Sequence, residues 1–347
     1  MAKISINLVI WNGAKYLPYC IESIKYQTFT DWELNILDNG SSDNSLNYLK
    51  EHYPQFKVVA LKENIGFAKG HNKLMSWSNS DYIFCLNQDI ILDKDFLKNA
   101  IEFLEAHTDV GAISPKIYRW DFKKLGTSSA SLEPEKALQT IDNGKTNIID
   151  SCGLEIFKNH QIVEIGHGQE DNEEFQNTQE IFGTSGAVPI YRKKALEKIK
   201  MENQYFDEDY FSYKEDIDLS FRLQLSGNKI FFVPNVIAYH DRTASNIYGT
   251  KNTDITKNRK LKSSFVNKYS YKNHILCIIK NEFTKNLIKY FPNIFWYELK
   301  KLVYIIFFER ETFLFFVSNL KQIPKFIKKR KYTFKNTHDI QLSYLAK

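Results

Sequence analysis

The chain has 347 residues, 43% hydrophobic and 25% charged, which is enough for a full α/β domain with a second region and is ordinary for a globular protein. Its formal charge of +6 is unevenly spread: 21 Lys and Arg face 6 Asp and Glu in residues 251–347, against 26 facing 35 in residues 1–250. The acidic front half argues against nucleic acid as a partner, and the basic, aromatic tail argues for an anionic surface. The scattered cysteines Cys20, Cys85, Cys152 and Cys277 form no CxxC pair, which excludes a zinc or disulfide scaffold and predicts reduced core residues in a cytoplasmic protein.

The first 115 residues alternate between strand and helix patterns. Ile4–Ile10 is a branched, apolar strand that starts too early for a signal peptide. Lys15–Gln27 has helical spacing through Leu17, Cys20, Ile21 and Ile24. Trp32–Leu37 is a second strand, closed by the turn-rich Asp38-Asn39-Gly40-Ser41-Ser42-Asp43 before a helix through Tyr48 and Leu49. Val58–Leu61 is a third strand, followed by Asn64-Ile-Gly66 and another helix, and Tyr82–Leu86 is a fourth. Such alternation predicts a mostly parallel sheet with helices on both faces. Ligands of such sheets bind beyond the carboxyl ends of the strands, where Asp38, Asn64 and Asn87-Gln88-Asp89 all fall.

Residues 119–180 read as loops and short strands, and Gly126–Ser131 and Gln169–Glu180 are polar stretches within them. Order resumes at Gly183–Arg192, with a helix expected over Lys193–Ile199. Glu215-Asp216-Ile-Asp218 then opens a helix, and an aromatic strand from Lys229 to Pro234 leads to His240. Two acidic clusters at strand and helix ends, with a histidine, suit a divalent cation beside a diphosphate and one spare carboxylate as a base. His71, His160 and His167 have no ligand-like spacing and are expected at the surface or in loops.

These residues carry a resemblance. Trp11-Asn12-Gly13, Asp38–Asp43, Asn64-Ile-Gly66 through Asn72, Asn87-Gln88-Asp89, Gly183–Arg192, Glu215–Arg222 and His240 occur in the order found in inverting family 2 glycosyltransferases. The chain resembles that family over roughly residues 3–245, most closely its rhamnosyltransferase-like branch. The resemblance implies a GT-A, Rossmann-like fold with a mostly parallel central sheet flanked by helices. It implies a catalytic domain over residues 1–250 and a helical, basic C-terminal extension over residues 251–347. It further implies that Asp216 is the general base, oriented by Glu215. Asp89 and His240 would bind Mg²⁺ or Mn²⁺, with Arg242 and Ser245 further candidates for neutralising phosphate. Asp38, Asn39, Asp43, Asn64, Gly66, Asn72 and Asn87 would line the nucleotide. Asp43 also suits an ordinary turn. The first residue of the family's DxD position is here Asn87.

The implied donor is a dTDP- or UDP-linked sugar, with dTDP-L-rhamnose first. The implied acceptor is a cell-surface glycan or a polyprenyl-linked one at the inner face of the cytoplasmic membrane. Trp296, Phe307, Phe308 and Phe313 precede the basic run Lys321–Lys335, which fits peripheral contact with anionic lipid or a helical hairpin packed on the protein. No run of 18 uncharged apolar residues suggests a span. A sugar nucleotidyltransferase stays open, although Trp11–Lys15 is a poor phosphate loop, and so does a non-catalytic binding module on the same fold.

Overall fold

The computed structural model of the chain describes residues 1–125, 133–242 and 252–334. Gly126–Ser131, Ser245 and Lys335 therefore lie outside the described residues. In chain order the strands are β1 (Ile4–Ile10), β2 (Trp32–Asp38), β3 (Lys57–Ala60), β4 (Tyr82–Asn87), β5 (Ile90–Leu92) and β6 (Val110–Trp120), followed by β7 (Lys145–Ser151), β8 (Leu154–Ile156), β9 (Ile162–Glu164), β10 (Gln179–Glu180), β11 (Ile190–Arg192) and β12 (Lys229–His240). The helices of the front half are α1 (Leu17–Lys25), α2 (Ser45–His52), α3 (Phe67–Met75), α4 (Phe96–Ala106), α5 (Pro134–Thr140), α6 (Lys193–Ile199) and α7 (Glu215–Leu225). Six follow: α8 (Asn252–Leu261), α9 (Ser264–Asn281), α10 (Thr284–Lys289), α11 (Phe291–Phe308), α12 (Arg310–Asn319) and α13 (Ile323–Phe334).

The main sheet runs in the order β10-β12-β6-β11-β4-β1-β2-β3, with β5 added on β12 and β7 on β6. β1 pairs in parallel with both β2 and β4, β2 with β3, and β6 with β12. β11 is inserted antiparallel between β4 and β6, so six strands of the path point one way and only β10 and β11 oppose them. The expected mostly parallel sheet is thus present. The central strand β1 is covered on both faces: Ile4, Ile6, Leu8 and Ile10 are fully buried on one, and Ser5 and Asn7 are fully buried on the other, as flanking helices on both sides require.

Strand β12 extends further than its aromatic stretch suggests. Pro234 cannot donate to a ladder, and the pairing with β6 slips between Val233 and Ile237 before resuming to His240. A bulge is where a sheet tolerates proline. The described residues between 121 and 180 form α5, β7 to β10 and short turns.

The C-terminal helices contribute to the same core. Leu276 and Cys277 of α9 and Phe326 of α13 pack in one cluster with Tyr210, Ile217 and Phe221. Helix α9 also buries polar residues, among them Asn273, Lys280 and Asn281, each of which needs a partner. The helical extension begins as a buttress of α7. All four cysteines are buried and unpaired.

Of the three histidines expected at the surface or in loops, His160 and His167 lie in loops and His71 lies in α3, and all three are buried. His71 is fully buried between Phe67 and Phe206, and burial lowers its imidazole to about 3. His160 is buried with a nitrogen 3.2 Å from Glu282. His167 is buried beside Asp150. A polar residue with a remote partner leaves no local trace in sequence.

Candidate functional site

Parallel register brings the site residues to one edge. Ile10 at the end of β1 lies opposite Asp38, and Val9 lies opposite Asn87. The loops that follow are stitched together by side chains. Gln88 accepts from the Trp11 backbone N–H at 2.8 Å and donates to the Trp11 carbonyl at 3.0 Å. A Cβ on Gly13 would meet Gln88 Oε1 at 2.2 Å, so a side chain there would push the Gln88 amide off Trp11. Asn12 accepts from the Ser42 N–H at 2.8 Å.

Among the proposed nucleotide residues, Asp38 is buried and its Oδ1 accepts from the Ser41 N–H at 3.2 Å. Asn39 Oδ1 accepts from the Ile65 N–H at 2.9 Å, and its Nδ2 donates to Asn64 Oδ1 at 3.1 Å. Asn64 Oδ1 also accepts from the Gly66 N–H at 2.8 Å. Asp43 accepts from the backbone N–H groups of Ala14 and Ser45, both at 3.0 Å, which is the turn role its sequence also suggested. Asn72 faces away from this edge. Its Oδ1 accepts from the Phe206 N–H at 2.9 Å, and its Nδ2 donates to the Phe206 carbonyl at 2.8 Å. Asn39, Asp43 and Asn72 thus hold the loops in place with their own polar atoms.

Gly66 adopts φ +88°, and a Cβ there would lie 2.6 Å from the Phe211 carbonyl oxygen. Both the left-handed backbone and the contact exclude a side chain. Gly66→Ala is expected to cost about 1–3 kcal/mol, read as a lowered melting temperature. A wild-type melting curve would show that the 211–214 loop yields freely.

Asp89 and His240 meet through strand pairing. Ile90 of β5 pairs with His240 of β12, and the Asp241 N–H donates to the Asp89 carbonyl at 3.1 Å. His240 Nε2 lies 3.4 Å from Asp89 Oδ2, while Nδ1 donates to Asp150 Oδ2 at 2.8 Å. Burial lowers the His240 pKa, but Asp89 and Asp150 overcome it and raise it to about 10 in the absence of a cation, and a cation bound at Nε2 would displace that proton. Asp150, fully buried on β7, was missed by sequence reasoning. Its other oxygen lies 3.2 Å from Arg242 Nε, and Arg242 donates to Glu164 at 2.6 Å.

Two groupings could hold a cation. Asp150, Glu164 and His167 bring ligand atoms within 4.8 Å of one another, but the Arg242 guanidinium already spans Asp150 and Glu164. Asp89 and His240 fit a cation better. Two ligands at about 2.1 Å from one octahedral ion lie about 3 Å apart, close to the 3.4 Å between these atoms. Anchoring of Nδ1 by a carboxylate aims Nε2 at the shared position, the usual arrangement behind a ligating imidazole. A carboxylate oxygen and one imidazole suit Mn²⁺ or Mg²⁺ with substrate oxygens completing the sphere.

The second acidic cluster opens α7. Phe211, Tyr213 and Lys214 all have positive φ, at 64°, 69° and 75°, so three non-glycine residues before the cluster are strained. Strain of this kind persists only where surrounding contacts impose it. Here Asn273 of α9 donates to the carbonyls of Tyr210, Ser212 and Tyr213 at 2.7–2.9 Å. Asp216 Oδ2 accepts from the Gly186 N–H at 3.0 Å and Oδ1 from the Ile217 N–H at 2.8 Å. Burial raises its pKa, against the opposing pull of Lys214 and those two amides. Glu215 is buried without a hydrogen-bond partner on Oε2, and burial followed by the Asp216 charge holds its carboxyl well above the usual range. Asp218 points the other way, accepting from Arg222 at 2.9 Å. The segment Gly183–Gly186 lies on α7, where a Cβ on Gly183 would meet Ser220 Oγ at 2.5 Å. The two clusters are joined through one short backbone stretch: the Asn87 N–H donates to the Ala187 carbonyl at 2.9 Å, and the neighbouring Gly186 N–H donates to Asp216.

The sequence is 33% identical over 102 residues to a chondroitin synthase of Escherichia coli, a match covering 28% of this chain and 15% of that protein. It is 23% identical over 244 residues to a poly-β-1,6-N-acetyl-D-glucosamine synthase of Staphylococcus epidermidis, covering 68% of this chain and 49% of that one. The chain therefore spans about half or less of the length of these curated relatives. A solved structure, the mannosyltransferase PcManGT from Pyrobaculum calidifontis in complex with GDP-Man and Mn²⁺, overlays with a TM-score of 0.49 at 12% identity, covering 97% of this chain and 87% of that chain. The model of glycosyl transferase family 2 matches residues 5–200, more than half of the sequence, and the chain belongs to that family.

Proposed function

We propose that the protein is an inverting, divalent-cation-dependent glycosyltransferase that moves a sugar from a nucleoside diphosphate to a hydroxyl of a cell-surface glycan or polyprenyl-linked acceptor. The observation that carries this reading is the meeting of two acidic clusters across the Gly186-Ala187 backbone, which bonds Asn87 on one side and Asp216 on the other, with Asp89 of the first cluster beside His240. In this reading Asp38 accepts the N3–H of a uracil or thymine ring, a task for an acceptor-only group. Asn87 contacts the ribose, and Asp89 and His240 hold the cation. That cation supplies charge neutralisation to the departing diphosphate.

Asp216 then takes the proton of the acceptor hydroxyl. The freed oxygen lone pair forms a bond to the anomeric carbon while the bond from that carbon to the diphosphate oxygen breaks. A single displacement of this kind inverts the anomeric centre. Glu215, buried beside Asp216 with its carboxyl held well above the usual range by burial and then by the Asp216 charge, orients the base. The donor proposed first is dTDP-L-rhamnose, on the motif resemblance alone. UDP-sugars come second, and a relative named for an N-acetylglucosamine polymer makes UDP-N-acetylglucosamine the one to include. Peripheral contact with an anionic membrane at its cytoplasmic face is also proposed, supported by the basic tail; among the described residues no helix is long and apolar enough to cross a membrane.

The test is thermal stabilisation by dTDP, UDP and GDP with and without Mn²⁺. A ligand at a hundredfold excess over its dissociation constant adds about 2.7 kcal/mol, a clear shift. Stabilisation by one nucleotide should require Mn²⁺ and vanish in Asp89→Ala. Equal stabilisation of wild type and variant would remove Asp89 from the donor site.

A further inference from the structure

Helix α11 turns the charged pair Glu298 and Lys301 inward and leaves much of its apolar surface outward. Ile294, Glu298, Lys301 and Ile305 recur at helical spacing on the face toward the protein, where Ile305 is fully buried. Glu298 accepts from His274 of α9 at 2.7 Å and from Lys301 at 3.2 Å. The opposite face carries Trp296, Lys300, Val303 and Phe307 at the same spacing, all exposed. Phe307 and Phe308 are 75% and 73% exposed, and Leu314 and Val317 of α12 continue the apolar surface. Among the described residues, fifteen of the nineteen exposed large hydrophobic side chains lie from Leu261 onward. That concentration marks an interaction surface, since single exposed apolar residues are normally scattered.

Charge says what the surface meets. Glu298, Glu309 and Glu311 are each held in ion pairs, with Lys301, Arg259 and Lys268. Lys285, Lys289, Lys300, Lys321 and Lys328 are exposed and stand outside the ion pairs of the described residues. Trp296 and Lys300 also edge a cleft of about 340 Å³ with Asn159 and Asn293, a polar and cationic rim to the aromatic face. Two copies meeting face to face would oppose these lysines, a like-charge contact that disfavours self-association. Aromatic side chains fringed by lysine match a phospholipid surface with anionic headgroups, where rings enter the acyl boundary and ammonium groups stay at headgroup level.

We propose that the outer face of α11, continued by the exposed side of α12, lies flat on an anionic phospholipid surface. This deepens the membrane contact proposed above and is independent of the transfer chemistry. The test is co-sedimentation of the full chain with phosphatidylcholine vesicles carrying about 30% phosphatidylglycerol, against pure phosphatidylcholine. Wild type should bind the anionic vesicles more tightly, and about 0.5 M NaCl should weaken that binding. Phe307→Ser with Phe308→Ser should weaken it about tenfold or more. Lys300→Glu with Lys321→Glu should weaken binding to the anionic vesicles only. Melting temperature and nucleotide stabilisation should match wild type in both variants, which separates loss of the face from loss of the fold or of the donor site. Absence of wild-type binding, or equal binding by the Phe307→Ser, Phe308→Ser variant, would overturn the proposal. A concentration-dependent dimer abolished by that variant, without vesicle binding, would assign the face to a second copy and overturn it as well.

Discussion

Asp216→Asn is expected to lower sugar transfer by about 10²–10⁴-fold, the usual contribution of a positioned general base, with nucleotide stabilisation unchanged. The carboxylate is held at both oxygens by backbone amides, Gly186 at 3.0 Å and Ile217 at 2.8 Å, so its direction is fixed before any acceptor arrives. Burial pushes its pKa up while Lys214 and the two amides pull it down, leaving it above the ordinary value. A raised pKa makes a better proton acceptor and carries a pH signature. Transfer should fall as pH drops through the raised value, because the protonated acid cannot accept. The asparagine variant should lose that limb together with the rate.

Asparagine has one acceptor oxygen where aspartate has two, so one of the two amides will face an NH₂ group. That mismatch costs about 1–3 kcal/mol, and the melting temperature must be read beside the rate. Release of nucleoside diphosphate in the presence of acceptor measures the rate, and the nucleotide melting shift measures the donor site. A variant that binds nucleotide and transfers at the wild-type rate would remove Asp216 from the reaction. A variant that loses both would show only a collapsed α7 entry, and Asp216→Glu, which keeps a carboxylate, then decides by recovering a measurable rate.

The carboxyl edge of the sheet was legible because strand ends are local signals. Hydrophobic runs stop at Asp38, Asn87 and Asp89, and parallel register then carries them to one edge without further information. Asn39 and Asn72 look like ligand residues in sequence, yet their partners lie 26 and 134 positions away. Nothing local distinguishes a loop-holding asparagine from one that meets a nucleotide. Asp150 sits in a stretch with no strong periodicity, and its importance appears only when β7 brings it to His240. Lysines of the tail mislead in the other direction. Lys280 reads as one more basic residue on a solvated helix but is fully buried. Charge counting treats every lysine alike, and only packing separates those that face water from those that neutralise a buried acid.

Lys280→Met should be the most destabilising single change in the C-terminal region, by about 3–5 kcal/mol. Lys280 Nζ lies 2.8 Å from Asp207 Oδ2 and 2.7 Å from Asp218 Oδ1, and all three side chains are fully buried. Methionine fills the volume but leaves two carboxylates with fewer partners, Asp218 with Arg222, Asn281 and the Tyr210 hydroxyl, and Asp207 with Lys329 and the Asp209 N–H. Burial, the largest influence on both acids, raises their pKa values, yet the neighbouring cations, Lys280 first, bring both below the ordinary value. A folded-state pKa below the unfolded one gives stability that is complete above the unfolded value, about 3.9, and lost as pH falls through the folded value. The melting-temperature gap between wild type and Lys280→Met should therefore be constant from pH 7 to about pH 5 and narrow below about pH 4. Lys325→Met removes a pair to Asp209 whose lysine is 58% exposed and should change little. A gap that ignores pH, or a Lys280→Met protein as stable as wild type, would mean the buried cluster contributes nothing net. The consequence reaches the site, because α9 carries both Lys280 and Asn273, and Asn273 holds the carbonyls of Ser212 and the strained Tyr213 just before Glu215 and Asp216. Loosening α9 should thus reduce turnover more than nucleotide affinity, since Asp38 and Asn87 sit at the ends of strands that Lys280 does not touch.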